Sequence, residues 1–205
     1  MIYLKHCLLS EIFKHYQCDE KVITPKEKRL LCRQYRHDIL SPKFEDLNII
    51  QTLQGKPFCQ NNSVYFNHSH SQKDYALIYS LDYQHIGVDI ENLDRKVNMH
   101  ALAQRYFHDK EILSWQESEN DKIHWLKIWT AKEAILKACG LGIALQLNQI
   151  DTQVGIAKND GQCEHHRLGN FYYQFFIQDN VVICIAAQID PKNTFTPNDF
   201  LVELV

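Results

Sequence analysis

From Ile86 to Glu91 the chain alternates without a break, with Ile86, Val88 and Ile90 on one face of an extended strand and Gly87, Asp89 and Glu91 on the other. A strand written this way buries one face and holds two carboxylates together on the opposite one. Downstream, Asp121 to Cys139 carries apolar residues at helical spacing and ends at Gly140, a natural C-cap. A chain that needs both elements is confined to a layered mixture of sheet and helix.

The flanking segments fit that frame. Thr24 stands at an N-cap position and Pro25 at the first helical position of a helix running to about Leu40, whose exposed side carries Lys26, Lys28, Arg29, Arg33 and Arg36. Such a charged helix is ordinarily solvated surface. Ser63 to Leu81 predicts two strands, around Val64-Tyr65-Phe66 and Tyr75 to Tyr79, separated by a polar turn at Asn67-His68-Ser69-His70-Ser71. Further helices are expected over Met99–Phe107 and Asp109–Ser118. Phe171–Gln178 and Val181–Gln188 flank Asp179-Asn180 as an antiparallel hairpin. The result is an α+β protein of two similar halves, 1–85 and 86–205.

The 205 residues suffice to bury roughly 70% of the unfolded surface without staples. A net charge of −3 gives no overall attraction to nucleic acid. The seven cysteines are odd in number and widely spaced, with no C-x-x-C pair, so reduced, mostly buried thiols in a cytoplasmic protein are expected. The start of the chain has no signal-peptide pattern, and charge interrupts every long apolar window, so neither export nor a membrane span is expected.

Residue by residue, the polar groups have ordinary explanations. Glu133 and Lys137 are spaced as an i,i+4 surface pair, worth about 0.2–0.5 kcal/mol. Asp89 and Glu91 suit the solvated end of an edge strand. Yet Glu133 projects onto a flank shared with Trp129 and Leu126, where a carboxylate needs a partner or a cation. Three carboxylates from a strand and a helix suit Mg²⁺ shared with substrate phosphates, and a lysine one turn away suits a departing phosphate oxygen. His68 and His70, with His165-His166, lack any clear spacing to further metal ligands. For Trp115, Trp125 and Trp129, core burial rather than a base-stacking platform is expected.

Together, Gly87 to Glu91 and Trp129-Thr130-Ala131-Lys132-Glu133-Ala134-Ile135-Leu136-Lys137 resemble the paired motifs of the Sfp-type 4′-phosphopantetheinyl transferases, G-(I/V)-D-x-E and W-(S/T)-x-K-E-(A/S)-x-x-K with a glycine-bearing loop, here Gly140-Leu141-Gly142. Gly55-Lys56-Pro57 and Phe66 to Ser71 resemble that family's G-K-P and F-N-x-S-H-S. The shorter bacterial members, of holo-acyl-carrier-protein synthase type, are the nearest in form. Gln54 stands where an aromatic residue often precedes G-K-P, and His68 where an apolar residue is usual.

The resemblance implies two α+β halves related by a pseudo-twofold and a monomer with its site between them. It implies coenzyme A as co-substrate, Mg²⁺ as cofactor, and a serine of an apo acyl- or peptidyl-carrier protein as acceptor. Asp89, Glu91 and Glu133 would hold the metal, Glu133 would also act as base, and Lys137 would serve the leaving group. Lys56, Ser69 and His70 would grip the nucleotide end, with Lys28, Arg29 and Lys132 as secondary phosphate contacts. A pyrophosphate hydrolase using the same carboxylates, or a non-catalytic module binding coenzyme A or a carrier protein, are the alternatives.

Overall fold

Three apolar layers organise the chain, and each follows from strict alternation along strands whose two faces are both covered. The computed structural model describes residues 1–140, 146–190 and 200–205. A first sheet contains Ile2–Leu8 (β1), Tyr65–His70 (β4), Asp74–Ser80 (β5) and Val202–Leu204 (β10), in the order β10-β1-β5-β4. A second contains Ile86–Asn92 (β6), Asp160–His165 (β7), Gly169–Gln178 (β8) and Val181–Ile189 (β9), all antiparallel, in the order β6-β9-β8-β7. The protein is α+β. The second sheet uses only residues after 85, whereas the first takes β10 from the far end of the chain, parallel to β1.

On β5, Tyr75, Leu77 and Tyr79 face Leu9–His15 (α1) and Pro25–Leu40 (α2), while Ala76 and Ile78 face the second sheet. The inter-sheet layer is completed by Ile86, Val88 and Ile90 of β6 and by Val181, Ile183 and Ile185 of β9. The opposite face of β9, with Val182, Cys184 and Ala186, packs under Met99–Tyr106 (α3), Asp109–Glu117 (α4) and Lys122–Cys139 (α5). Burial on both faces is why β9 reads as a continuous apolar run.

The helix signals resolve into caps. Thr24 and Glu27 form a reciprocal capping box at α2, with Pro25 at its first position. Asp121 caps α5 by accepting from the His124 N–H at 2.7 Å, and Gly140 closes it at φ +70°. A small hairpin of Ile49–Gln51 (β2) and Pro57–Cys59 (β3) carries Gly55 and Lys56 at its turn.

One expectation is corrected. Asn67 to His70 are strand residues, not a turn, and the reversal is confined to Ser71–Lys73, where Ser71 and Asp74 bond each other. The polar residues are tolerated because β4 and β6, each an edge of its own sheet, lie side by side. As an edge strand β6 has backbone donors that no neighbouring strand takes, and Asn67 Oδ1 accepts the one from Val88 at 3.0 Å. No helix among the described residues is long and apolar enough to cross a membrane.

Candidate active site

The close approach of β6 to α5 creates the site. Gly87 faces the helix backbone, where a Cβ would lie 2.0 Å from Ala134 O and 2.5 Å from Ala138 N. Only glycine against two alanines one turn apart lets the strand come so near. Asp89 and Glu91, two and four residues along the same face, are thereby set beside Glu133 and Lys137 of α5.

Asp89 is 5% exposed. Its Oδ1 accepts from Ser69 Oγ at 2.9 Å and from Lys137 Nζ at 2.6 Å, while its Oδ2 is buried without a hydrogen-bond partner among the described residues. Glu91 is paired with Arg95, whose guanidinium lies 5.3 Å from the centre of the Trp129 ring. Burial, then the nearby Asp89, pushes the Glu91 carboxyl up to about 7 against the pull of Arg95, Lys137 and the Trp129 side chain. Glu133 has no hydrogen bond or ion pair with any described residue, and burial followed by Asp89 raises its carboxyl as well.

This is an acidic cluster held partly by Lys137 and Arg95. Among the described residues no three His, Cys, Asp or Glu side chains converge as a ready-made metal group. Nevertheless, a buried carboxylate oxygen without a donor among the described residues, and two carboxyls pushed upward by burial and then by the nearby Asp89, fit an added hard cation.

A cavity of about 300 Å³ opens beside the cluster, lined by Lys56, Asn67, His68, Glu133, Lys137 and Gly140 among others. A second, of about 320 Å³, shares His68 and Lys137 and extends past Ser69 and His70 to Arg29 and Arg33 of α2. Together they form a groove with the Glu133 carboxylate at one wall and arginines at the far end. Such a surface suits a long polyanionic ligand.

The sequence pattern of the 4′-phosphopantetheinyl transferase superfamily matches residues 85–186. The chain is 36% identical over 127 residues to a putative 4′-phosphopantetheinyl transferase of Synechocystis, covering 57% of this chain and 51% of that one. It is 30% identical over 122 residues to the 4′-phosphopantetheinyl transferase gsp of Aneurinibacillus migulanus, covering 58% and 49%. Those two matches therefore span about half the length of the relative. The 4′-phosphopantetheinyl transferase AcpT of Escherichia coli O157:H7 is 34% identical over 151 residues, covering 70% of this chain and 72% of AcpT. The chain belongs to the 4′-phosphopantetheinyl transferase superfamily.

Within this superfamily member, the residues singled out by motif occupy different settings. Glu133, Lys137, Lys56, Ser69, His70 and Arg29 all border the groove. Lys56 also reaches across Gly140, where a Cβ would lie 2.9 Å from its Cδ, to donate to Ala138 O at 2.7 Å. Burial lowers the Lys56 amine to about 8, and its place at the carbonyl end of α5 favours the charged form. Lys28 instead donates to Ser71 O at 3.0 Å, tying α2 to the β4–β5 turn. Leu141 and Gly142 of the glycine-bearing loop lie outside the described residues.

Lys132 is a correction to the expected phosphate contact. It is 1% exposed, paired with Glu111 at 2.7 Å, and donates to Leu147 O at 2.9 Å and to Ile150 O. Its ammonium points away from the groove into the join between α4, α5 and the segment at 147–152.

Arg95, Asn67 and His68 are site residues that the motifs did not assign. Arg95 stands four residues after Glu91, but the chain leaves β6 in between, so no strand or helix period marks it. His68 pairs its Nε2 with Arg36 Nη1 at 3.2 Å, and burial first, then Arg36, pushes its imidazole down to about 3. It is therefore neutral, and Nε2 serves as acceptor for the guanidinium. The stacked His165 and His166 border a different surface hollow, away from His68 and His70.

Proposed function

We propose that this chain transfers the 4′-phosphopantetheine group of coenzyme A to a serine of an apo acyl- or peptidyl-carrier protein, with release of adenosine 3′,5′-bisphosphate. The observation that carries the proposal is a groove in which Glu133 and Lys137 face the same space, beside the Asp89 carboxylate with its donor-free Oδ2. Superfamily membership and the names of the relatives support the same chemistry.

In this reading Asp89, Glu91 and Glu133 hold Mg²⁺. When bound, the ion offsets charge on the pyrophosphate of coenzyme A. The serine oxygen forms a bond to the phosphorus that carries pantetheine, and the bond from that phosphorus to the pyrophosphate bridging oxygen breaks. Glu133 takes the serine proton, a task suited to a carboxyl that burial has raised. Lys137 stabilises or protonates the departing phosphate oxygen. Lys56 and His70 hold the nucleotide end, with Arg29 and Arg33 beyond them. The two helix-backed sheets act as pseudo-twofold halves of one monomer. Seven free thiols suit a cytoplasmic location.

Incubation with coenzyme A, Mg²⁺ and a panel of apo carrier proteins is expected to add one phosphopantetheine mass to at least one carrier. No gain with any carrier sinks the proposal, and nucleotide release without an acceptor would assign a hydrolase instead. Glu133→Gln preserves shape but removes the base. Its turnover is expected to fall by about 10²–10⁴-fold with coenzyme A binding retained, and unchanged turnover would exclude Glu133 from the base role.

A further inference from the structure

Ser69 lies in the F-N-x-S-H-S segment, where the resemblance implies a grip on the nucleotide. Its surroundings argue for a different task. The residue is 8% exposed, on the β4 face turned toward β6 and α5. Its Oγ donates to Asp89 Oδ1 at 2.9 Å and accepts from Lys137 Nζ at 2.7 Å, while Lys137 Nζ also donates to that same Oδ1 at 2.6 Å. The three groups close a triangle that joins a strand of the first sheet to a strand and a helix of the second.

A serine hydroxyl has one proton to give. Here Asp89 holds it. A ligand phosphate oxygen at neutral pH is chiefly an acceptor, so contact with Ser69 would require breaking the hydroxyl's bond to the carboxylate. Breaking it would leave a nearly buried carboxylate with less support, which is costly. The triangle also discriminates between the two oxygens of Asp89. Oδ1 is engaged by a hydroxyl and an ammonium, while Oδ2 remains buried without a donor among the described residues.

We propose that Ser69 is a positioning residue for Asp89. It fixes the carboxylate so that Oδ1 serves Lys137 and Oδ2 is kept free for a divalent cation. The same β4 face supplies a second strut two residues earlier, through Asn67 and the Val88 N–H. The first sheet thus sets both the backbone and the side-chain orientation of the strand that carries the carboxylates. This inference rests on the reading that Asp89 holds a cation, and its test separates the two.

Two titrations distinguish positioning from nucleotide contact. Mn²⁺, as a paramagnetic stand-in for Mg²⁺, is titrated into protein saturated with coenzyme A and followed by electron paramagnetic resonance. Coenzyme A is titrated calorimetrically into protein in EDTA. Partners that orient a metal ligand typically contribute about 10–100-fold to metal affinity. Ser69→Ala is therefore expected to weaken Mn²⁺ binding by about tenfold or more, with metal-free coenzyme A affinity within about twofold of wild type.

Ser69→Thr and Ser69→Val have matched shape and differ in the hydroxyl, so they keep the test valid if the alanine variant folds poorly. Thr is expected to bind Mn²⁺ more tightly than Val by a similar factor. Weakened coenzyme A binding in EDTA with Mn²⁺ affinity intact would overturn the proposal in favour of a nucleotide contact. Equal Mn²⁺ affinity in wild type, Ala, Thr and Val would overturn it outright. Failure of the wild type itself to bind Mn²⁺ would instead overturn the underlying cation reading.

Discussion

Gly87→Ala is expected to lower transfer activity by about 10²-fold and to lower the melting temperature, although the substitution adds only one methyl group and changes no ionisable residue. The added carbon would stand 2.0 Å from Ala134 O and 2.5 Å from Ala138 N. Both are backbone atoms in the C-terminal part of α5, so no side chain can rotate away. Relief comes only from separating β6 and α5 by about 1 Å or more, and a displacement of that size in a reacting constellation can cost about 10²-fold in rate. Asp89 and Glu91 ride on the strand, Glu133 and Lys137 on the helix, so separation acts directly on their relative placement. It would also stretch the 2.6 Å contact between Lys137 and Asp89. Overpacking of a tight core adds a stability loss of about 1–3 kcal/mol. Thermal melts and the carrier assay, run at a temperature where both proteins are folded, separate the two effects. Wild-type activity and melting temperature in Gly87→Ala would disprove the claim that this contact sets the site.

That contact was half visible in the sequence. The alternation from Ile86 to Glu91 placed Gly87 on the face of Asp89 and Glu91, and the ends of α5 were marked by Asp121 and Gly140. Signals of this kind are local, since caps and period-two alternation act within a few residues. The β8–β9 hairpin around Asp179-Asn180 was equally local, and Asp179 takes φ 50° there. Trp115 and Trp125 are buried in the core as expected, whereas Trp129 is only half-buried, with the Arg95 guanidinium against its ring.

What stayed hidden depends on partners distant in sequence. β10 is three residues long and is defined by pairing with β1 at the other end of the chain. β4 looked like a turn because Asn67 and Ser69 are polar, and only β6 and Lys137 explain how a strand can carry them inward. β1, with Lys5 and His6 among its apolar residues, gave no clean alternation. At the site, motif order brought Lys56, Ser69, His70, Glu133 and Lys137 to one groove. Of the ion pairs beside the groove, Lys137 with Asp89 follows from tertiary placement, while Arg95 with Glu91 is close in sequence but made where the chain leaves β6, so no strand or helix period marks it.

Lys132 is the clearest case where membership of a family motif misleads, and it yields the second large effect. Lys132→Met is expected to destabilise the protein by about 3–5 kcal/mol, the usual consequence of removing one member of a buried ion pair. For a chain of this size that corresponds to a fall in melting temperature of roughly 10 °C. Glu111 is 3% exposed and accepts from four donors: Lys132 Nζ, the Thr152 N–H at 2.9 Å, the Thr152 hydroxyl at 2.5 Å and the His108 N–H at 2.8 Å. Methionine fills the space of the lysine stem but leaves this carboxylate without its counter-charge, and it strips the donor from Leu147 O and Ile150 O.

Burial pulls the Lys132 amine below its ordinary value, and Glu111 beside it is the main opposing influence, as expected of a cation kept charged by its partner. Pairing Lys132→Met with Glu111→Gln removes both charges and keeps an acceptor for Thr152, so part of the lost stability should return. Full recovery is not expected, because the carbonyls of Leu147 and Ile150 still lack a donor. Denaturant titration of the single and double variants measures this coupling. A phosphate contact at Lys132 would give the opposite pattern, with unchanged stability and weakened coenzyme A binding. Such a result would restore the motif-based assignment and dismiss the buried network as the reason the lysine is there.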